Sequence, residues 1–138
     1  MLIYFLLHGA FLSIKAQEAV VYSWTELSQK TVYLGSSKNN SDSTGDSGSG
    51  IIIKKGGRYF LVTAAHVSKN LRENTIIAFA DVYEKISIID LVRISKSKAI
   101  KFIEHNDADV SVMELFIKDS GTLNIIKRSA FPFEQIRI

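Results

Sequence analysis

Residues 48–67 read GSGIIIKKGGRYFLVTAAHV, and the fold turns on how this stretch divides. Ile51–Ile53 and Tyr59–Val62 are dense in β-branched and aromatic side chains, which suit a pleated, half-buried surface. Between them Gly56-Gly57 offers two residues free to take positive φ, as a tight two-residue connection requires. The segment IIIKKGGRYFLV therefore reads as a β-hairpin whose second strand is Arg58–Thr63. That strand runs into Ala64-Ala65, whose small side chains let the backbone pack closely. It delivers His66 at the mouth of a short helical turn over residues 66–72. A catalytic base needs such a rigid mounting to hold its ring in one orientation.

Outward from the hairpin, Thr31–Leu34 is a short β-branched run on the N-terminal side. Residues 36–50, SSKNNSDSTGDSGSG, separate it from Ile51–Lys54 and hold no apolar side chain. Their six Ser, three Gly, two Asn and two Asp predict a flexible, solvated loop. Further strands are expected at Thr75–Ala80, Lys85–Ile94, Ala99–Ile103 and Val110–Ile117. Short strands at regular spacing argue for an all-β barrel or sandwich. The composition agrees: Ile and Val together number 27, against 11 Leu and 10 Ala, which disfavours a helical bundle. Segment 18–30 suits either a strand at Val20-Val21-Tyr22 or a short helix. Tyr22 and Trp24 are expected to pack into the core. No internal repeat is present.

The chain has 138 residues, enough for one domain with one core. Hydrophobic residues make up 46% and charged residues 22%, a globular composition. The absence of Cys excludes a disulfide framework, a thiolate zinc site and a Cys nucleophile. A net charge of +3 falls well short of a phosphate-backbone binder, so no nucleic-acid partner is expected. Residues 2–12, LIYFLLHGAFL, are too short an apolar run to span a membrane. They fit the apolar region of a secretory signal, with Ala16 before the cleavage point and Gln17 as the new N-terminus. The competing reading is a buried N-terminal segment of the fold. An Asn-x-Ser sequon stands at Asn39–Ser41.

The second chemical signal lies 43 residues beyond His66, where Asp109 opens the apolar run Val110–Leu115. An Asp at the start of a buried strand is well placed to fix a His tautomer and stabilise its imidazolium. Asp107 is the competing carboxylate; Asp109 is preferred because it directly precedes Val110-Ser111-Val112. The cluster His105-Asn106-Asp107-Ala108-Asp109 also has the composition of a metal site, but a polar turn before a strand reads the same way and is the preferred account. Arg93, Lys96, Lys98 and Lys101 form a basic stretch without interleaved aromatics, best read as a solvated face.

Thr63-Ala64-Ala65-His66 resembles the TAAH motif of trypsin-like serine peptidases. Gly48-Ser49-Gly50-Ile51-Ile52 is similar to the G-[ST]-G-[FI]-I approach to the same hairpin in bacterial members, including HtrA-type proteases. Asp107-Ala108-Asp109-Val110-Ser111-Val112-Met113 resembles the stretch around the family's Asp, with Ser111 where Ala is usual. Val67 stands where many animal members carry Cys. The resemblance covers roughly residues 31–117.

It implies the first antiparallel six-stranded β-barrel of a two-barrel fold, incomplete in this sequence. Residues 1–16 would be the signal peptide, 17–30 a lead-in, 31–120 the first barrel and 121–138 the start of the inter-barrel connection. His66 would be the general base and Asp109 its orienting partner, with no metal or cofactor. The family's Ser lies in a G-[DN]-S-G-G loop of the second barrel, which the 21 residues after Ile117 cannot build. Gly45-Asp46-Ser47-Gly48 spells a matching string, but it precedes His66 and sits in a predicted Ser/Gly loop with no flanking strand to aim its hydroxyl.

The expected function is an exported serine endopeptidase acting on polypeptide substrates, represented by its His/Asp-bearing part. Three rivals are a degenerate or truncated domain serving as a binding module, a self-contained hydrolase using Ser47, and a one-barrel chain that completes its site by pairing with another subunit, its exposed half-core making it oligomeric or aggregation-prone.

Overall fold

A computed structural model describes residues 22–37, 45–81, 83 and 85–136. The expected signal segment 1–16 and the sequon Asn39–Ser41 lie outside the described residues. Within them the chain is mostly β-strand, built as one sheet of eight strands. The strands are β1 (Thr31–Ser37), β2 (Gly45–Lys55), β3 (Arg58–Thr63), β4 (Ile76–Ala80), β5 (Ile86–Asp90), β6 (Ile103–Glu104), β7 (Ser111–Leu115) and β8 (Ala130–Pro132). Among the described residues three α-helices accompany them: α1 (Trp24–Lys30), α2 (Ala65–Ser68) and α3 (Ser120–Ser129).

The order across the sheet is β5-β4-β1-β2-β3-β7-β6, and every pair on that path is antiparallel. β8 lies off the path and pairs parallel to β2 at Ile52–Lys54. The fold is thus all-β and antiparallel in its main path, as expected. The ladder does not close, because β5 and β6 form its two ends.

The β2–β3 hairpin follows from its glycines. Gly56 and Gly57 take φ of +56° and +75°, a conformation L side chains rarely adopt, and set Lys55 opposite Arg58. From that register alternate residues turn inward. Val32 and Leu34 of β1, Ile52 of β2, Leu61 of β3 and Ile77 of β4 are completely buried. Phe79, Met113 and Leu115 join them from β4 and β7. Burying one such side chain contributes about 1.5–3 kcal/mol, so this layer is the main source of stability.

Several sequence expectations need correction. Residues 36–50 are not one solvated loop. Ser36 and Ser37 complete β1, and residues 45–50 form the first half of β2, paired residue by residue from Ser37↔Gly45 to Val32↔Gly50. The intrinsic preference of Ser and Gly is overruled because β1 supplies ladder partners along the whole segment. The expected strand 85–94 ends at Asp90, and Leu91–Ile94 form a 3-10 turn that buries Leu91 and Ile94. Of the expected strand 99–103 only Ile103 is in a strand, as the first residue of β6.

Residues 120–129 are helical. Asp119 caps α3, its carboxylate accepting from the Thr122 N–H at 2.8 Å, and Lys127 and Arg128 close its last turn. Gly121 and the β-branched residues of this segment hid the helix, which exists because Ile126 is fully buried against the sheet. Segment 18–30, left open by its pattern, is helical from Trp24 to Lys30, with a capping box between Ser23 and Glu26. Trp24 is not in the core: it is 88% exposed. Tyr22 is half-buried, edge-on to Phe131 at 5.3 Å, with its hydroxyl on Gln135. The Lys30 ammonium donates to the Ala130 carbonyl at 3.0 Å, and its burial holds its pKa below the usual lysine range. These contacts tie α1 to β8.

Candidate catalytic site

β3 and β7 are antiparallel neighbours with Thr63 opposite Ser111. One strand leaves the sheet just after the point where the other joins it. The residues just past Thr63 and just before Ser111 therefore meet at the same end of the sheet. His66 belongs to the first group and Asp109 to the second, and 43 residues of separation collapse into direct contact.

α2 holds the His side. Ala64 is extended (φ −69°, ψ 143°), and the chain turns helical at Ala65, which is buried. The Val67 and Ser68 amides donate to the Ala64 carbonyl, the Ser68 hydroxyl donates to the Ala65 carbonyl, and Asn70 Nδ2 donates to the His66 carbonyl. Four bonds thus lock a turn of four residues. Gly48 of β2 backs it: a Cβ added there would lie 2.5 Å from Val67 Cγ1, so the turn rests on the bare backbone of β2.

The Asp side is set by the turn before β7. His105 N–H donates to the Val110 carbonyl, and Val110 N–H to the Ala108 carbonyl. His105 Nδ1 accepts from the Asp107 amide at 3.1 Å, so this nitrogen serves the turn. Asp109 alone of the two candidate carboxylates faces His66. Its Oδ1 accepts from the His66 backbone N–H at 2.9 Å, and its Oδ2 meets His66 Nδ1. These bonds, the backbone one foremost, hold the Asp109 carboxyl below the usual carboxylate range.

A carboxylate accepts and does not donate, so Nδ1 carries the proton and Nε2 of the neutral ring keeps its lone pair. The arrangement can take a proton at Nε2 and stabilise the resulting imidazolium through Asp109. The two side chains remain 73% and 56% exposed.

Ser47 does not join them. In a strand successive side chains face opposite ways, and the Gly48 position faces Val67, so the Ser47 hydroxyl points away from α2. It lines a hollow with Tyr33, Gly35 and Asn74 on that other side. Its setting is not the expected loop: Gly45-Asp46-Ser47-Gly48 lies within β2 and pairs with β1. Two further features had no sequence signal: the backbone N–H of His66 as an Asp109 ligand, and the Ser111 hydroxyl, fully buried with no hydrogen-bond partner among the described residues. Among the described residues no three His, Asp or Glu converge as metal ligands. The chain matches no protein-family model and no curated protein.

Proposed function

We propose that this chain is the His/Asp-bearing half of an exported, trypsin-like serine peptidase. The observation that carries the reading is Asp109 gripping both the backbone N–H and the Nδ1 of His66, at the sheet end where TAAH terminates a strand. Two carboxylate bonds to one residue fix position and tautomer together, which is what a general base needs. The all-β, mainly antiparallel sheet is compatible with this reading; a closed six-stranded barrel and an export signal at residues 1–16 are part of the proposal.

In the proposed reaction His66 Nε2 accepts the hydroxyl proton of a Ser supplied from outside residues 1–138. The Ser oxygen attacks the peptide carbonyl carbon, and the tetrahedral intermediate expels the amine, which takes the proton from the imidazolium. Water, giving a proton to His66 Nε2, then attacks the acyl carbon; the ester C–O bond breaks, and the leaving Ser oxygen takes the proton back from the imidazolium, releasing the carboxylic acid. Residues 1–138 alone are expected to show no turnover, since loss of the nucleophile typically costs ~10⁶ in kcat.

The test begins with the transcript beyond codon 138. A G-x-S-G-G segment is expected within roughly a hundred further residues, the size of a second small barrel. The protein expressed from it should react with a fluorophosphonate probe, and His66→Ala should abolish that labelling. A stop codon with no such segment, or labelling that survives His66→Ala, would overturn the proposal and turn attention to a binding role.

A further inference from the structure

The basic residues that the sequence presents as a plain solvated stretch are gathered in space into a groove. Arg93 projects from the 3-10 turn after β5, and Lys96 and Lys98 follow in the next loop. Lys118 comes from a distant part of the chain, just before α3, and lines the same cavity of about 680 Å³. Lys101, next in sequence to this group, does not line it. Lys98 has φ of +53°, the one non-glycine residue with positive φ among the described residues.

The carboxylates nearby are already engaged. Asp119, the single acidic residue lining the groove, accepts from the Thr122 N–H as the cap of α3. Glu114, which feels the charge of Lys96, is held in a fork by Arg58. The groove thus gathers four cations against one carboxylate; Arg93 faces Asp119 and the Lys96 ammonium sits over the Phe116 ring at 5.7 Å, which leaves Lys98 and Lys118 as the less committed pair, in a chain whose whole net charge is +3. Its wall also includes the half-buried Ile89 and Val92, beside the core residue Ile94. Among the described residues the one ring beside its cations, Phe116, is not part of the lining and lies under the Lys96 ammonium, so it offers no open face for stacking bases. The volume falls in the range of pockets that enclose ligands.

We infer that this groove binds an acidic peptide segment, with carboxylates on the lysines and Arg93 and an apolar side chain against the aliphatic wall. It lies past the C-terminal end of β7, whereas Asp109 precedes the N-terminal end of the same strand. Five strand residues put roughly 17 Å between the two. A peptide seated here leaves His66 free, so the inference stands independently of the peptidase reading.

The test is fluorescence anisotropy with residues 1–138 and a short fluorescein-labelled peptide of Glu with interspersed Leu. The same peptide with Gln for Glu, the same peptide with Ser for Leu, and a poly-thymidine oligonucleotide are compared. The acidic Leu-containing peptide should bind at least about tenfold tighter than its Gln version and weaken between about 50 and 200 mM NaCl. The combined variant Lys96→Gln, Lys98→Gln, Lys118→Gln should lose at least about tenfold in affinity. The combined variant Lys54→Gln, Lys55→Gln, Lys127→Gln, of equal charge, should keep it. Thermal melting of both variants checks that they fold, and Arg93→Gln alone is the milder substitute if the first does not. Equal binding of the Glu and Gln peptides, equal loss in both lysine sets, or tighter binding of the oligonucleotide at the same residues would overturn the inference.

Discussion

At the scale of the residue, Asp109 is the most committed side chain of the site. Its folded-state pKa is depressed, so its bonds to His66 contribute stability above the unfolded carboxylate value near 3.9 and lose it as pH falls through the folded value. Asp109→Asn should therefore be less stable than the parent at pH 6, and the gap should narrow below about pH 4. Urea midpoints at several pH values check this; a gap that stays constant into acid would mean that the carboxylate charge is irrelevant. Gly48 acts on the same turn through shape. Gly48→Ala thrusts a methyl group at Val67 and should cost about 1–3 kcal/mol. Adding Val67→Ala should recover part of that loss, and a double-mutant cycle by urea denaturation reads the coupling. Strict additivity would show that the two positions do not touch.

Among the elements, α1 shows how a short helix with no buried residue is held in place. Its seven residues fall below the length at which helices persist alone in water, so it depends on its cap and on Lys30 reaching β8. Ser23→Ala removes the acceptor of the Glu26 N–H and half of a reciprocal pair. It should cost about 1 kcal/mol by chemical denaturation, and amide exchange in α1 should quicken. Unchanged exchange would mean that the helix is held by its tertiary contacts alone. The β3–β7 pair is a contrasting case. Arg58 and Glu114 clamp its far end from outside, with the guanidinium Nε on Oε1 at 2.5 Å, but the pair is solvent-facing and screened. What keeps Thr63 opposite Ser111, and so His66 beside Asp109, is the inward Leu61 and Met113, because a one-residue slip would turn both toward solvent.

For the molecule as a whole, the site is hostage to the core. Leu61 is fully buried and directly opposite Met113. Leu61→Ala should cost about 3 kcal/mol, a large share of the 5–15 kcal/mol that a domain commands. The global urea midpoint should fall, and with it the anisotropy signal of the basic groove above that midpoint, since both ends of β7 depend on one layer. A midpoint within error of the parent would show that Leu61 does not support the sheet. The outer face has a different character. Tyr33, Ala78 and Ile88 stand in one row across β1, β4 and β5, and Ile86 and Ile88 are 67% and 62% exposed.

The legible parts of the fold were those decided by local chemistry. Gly56-Gly57 between two β-branched runs can hardly do anything but turn, and the hairpin appeared where its pattern lay. His66 and Asp109 were likewise visible, because a strand that ends in small residues and a strand that opens on a carboxylate leave local marks. Residues whose neighbours come from far along the chain gave no such marks. Ser36, Ser37 and residues 45–50 have loop-like composition, and they became strand only because β1 and β2 satisfy each other's backbone groups. Trp24 has a core residue's chemistry, yet its helix presents it to solvent. Lys118 joined Arg93, Lys96 and Lys98 only when α3 docked through Ile126. Turn chemistry and alternation act within a few residues and can be read along a line. Strand partnership, helix docking and the sharing of a groove are contacts between distant segments, settled by which arrangement buries the most apolar surface while leaving the fewest backbone groups unpaired.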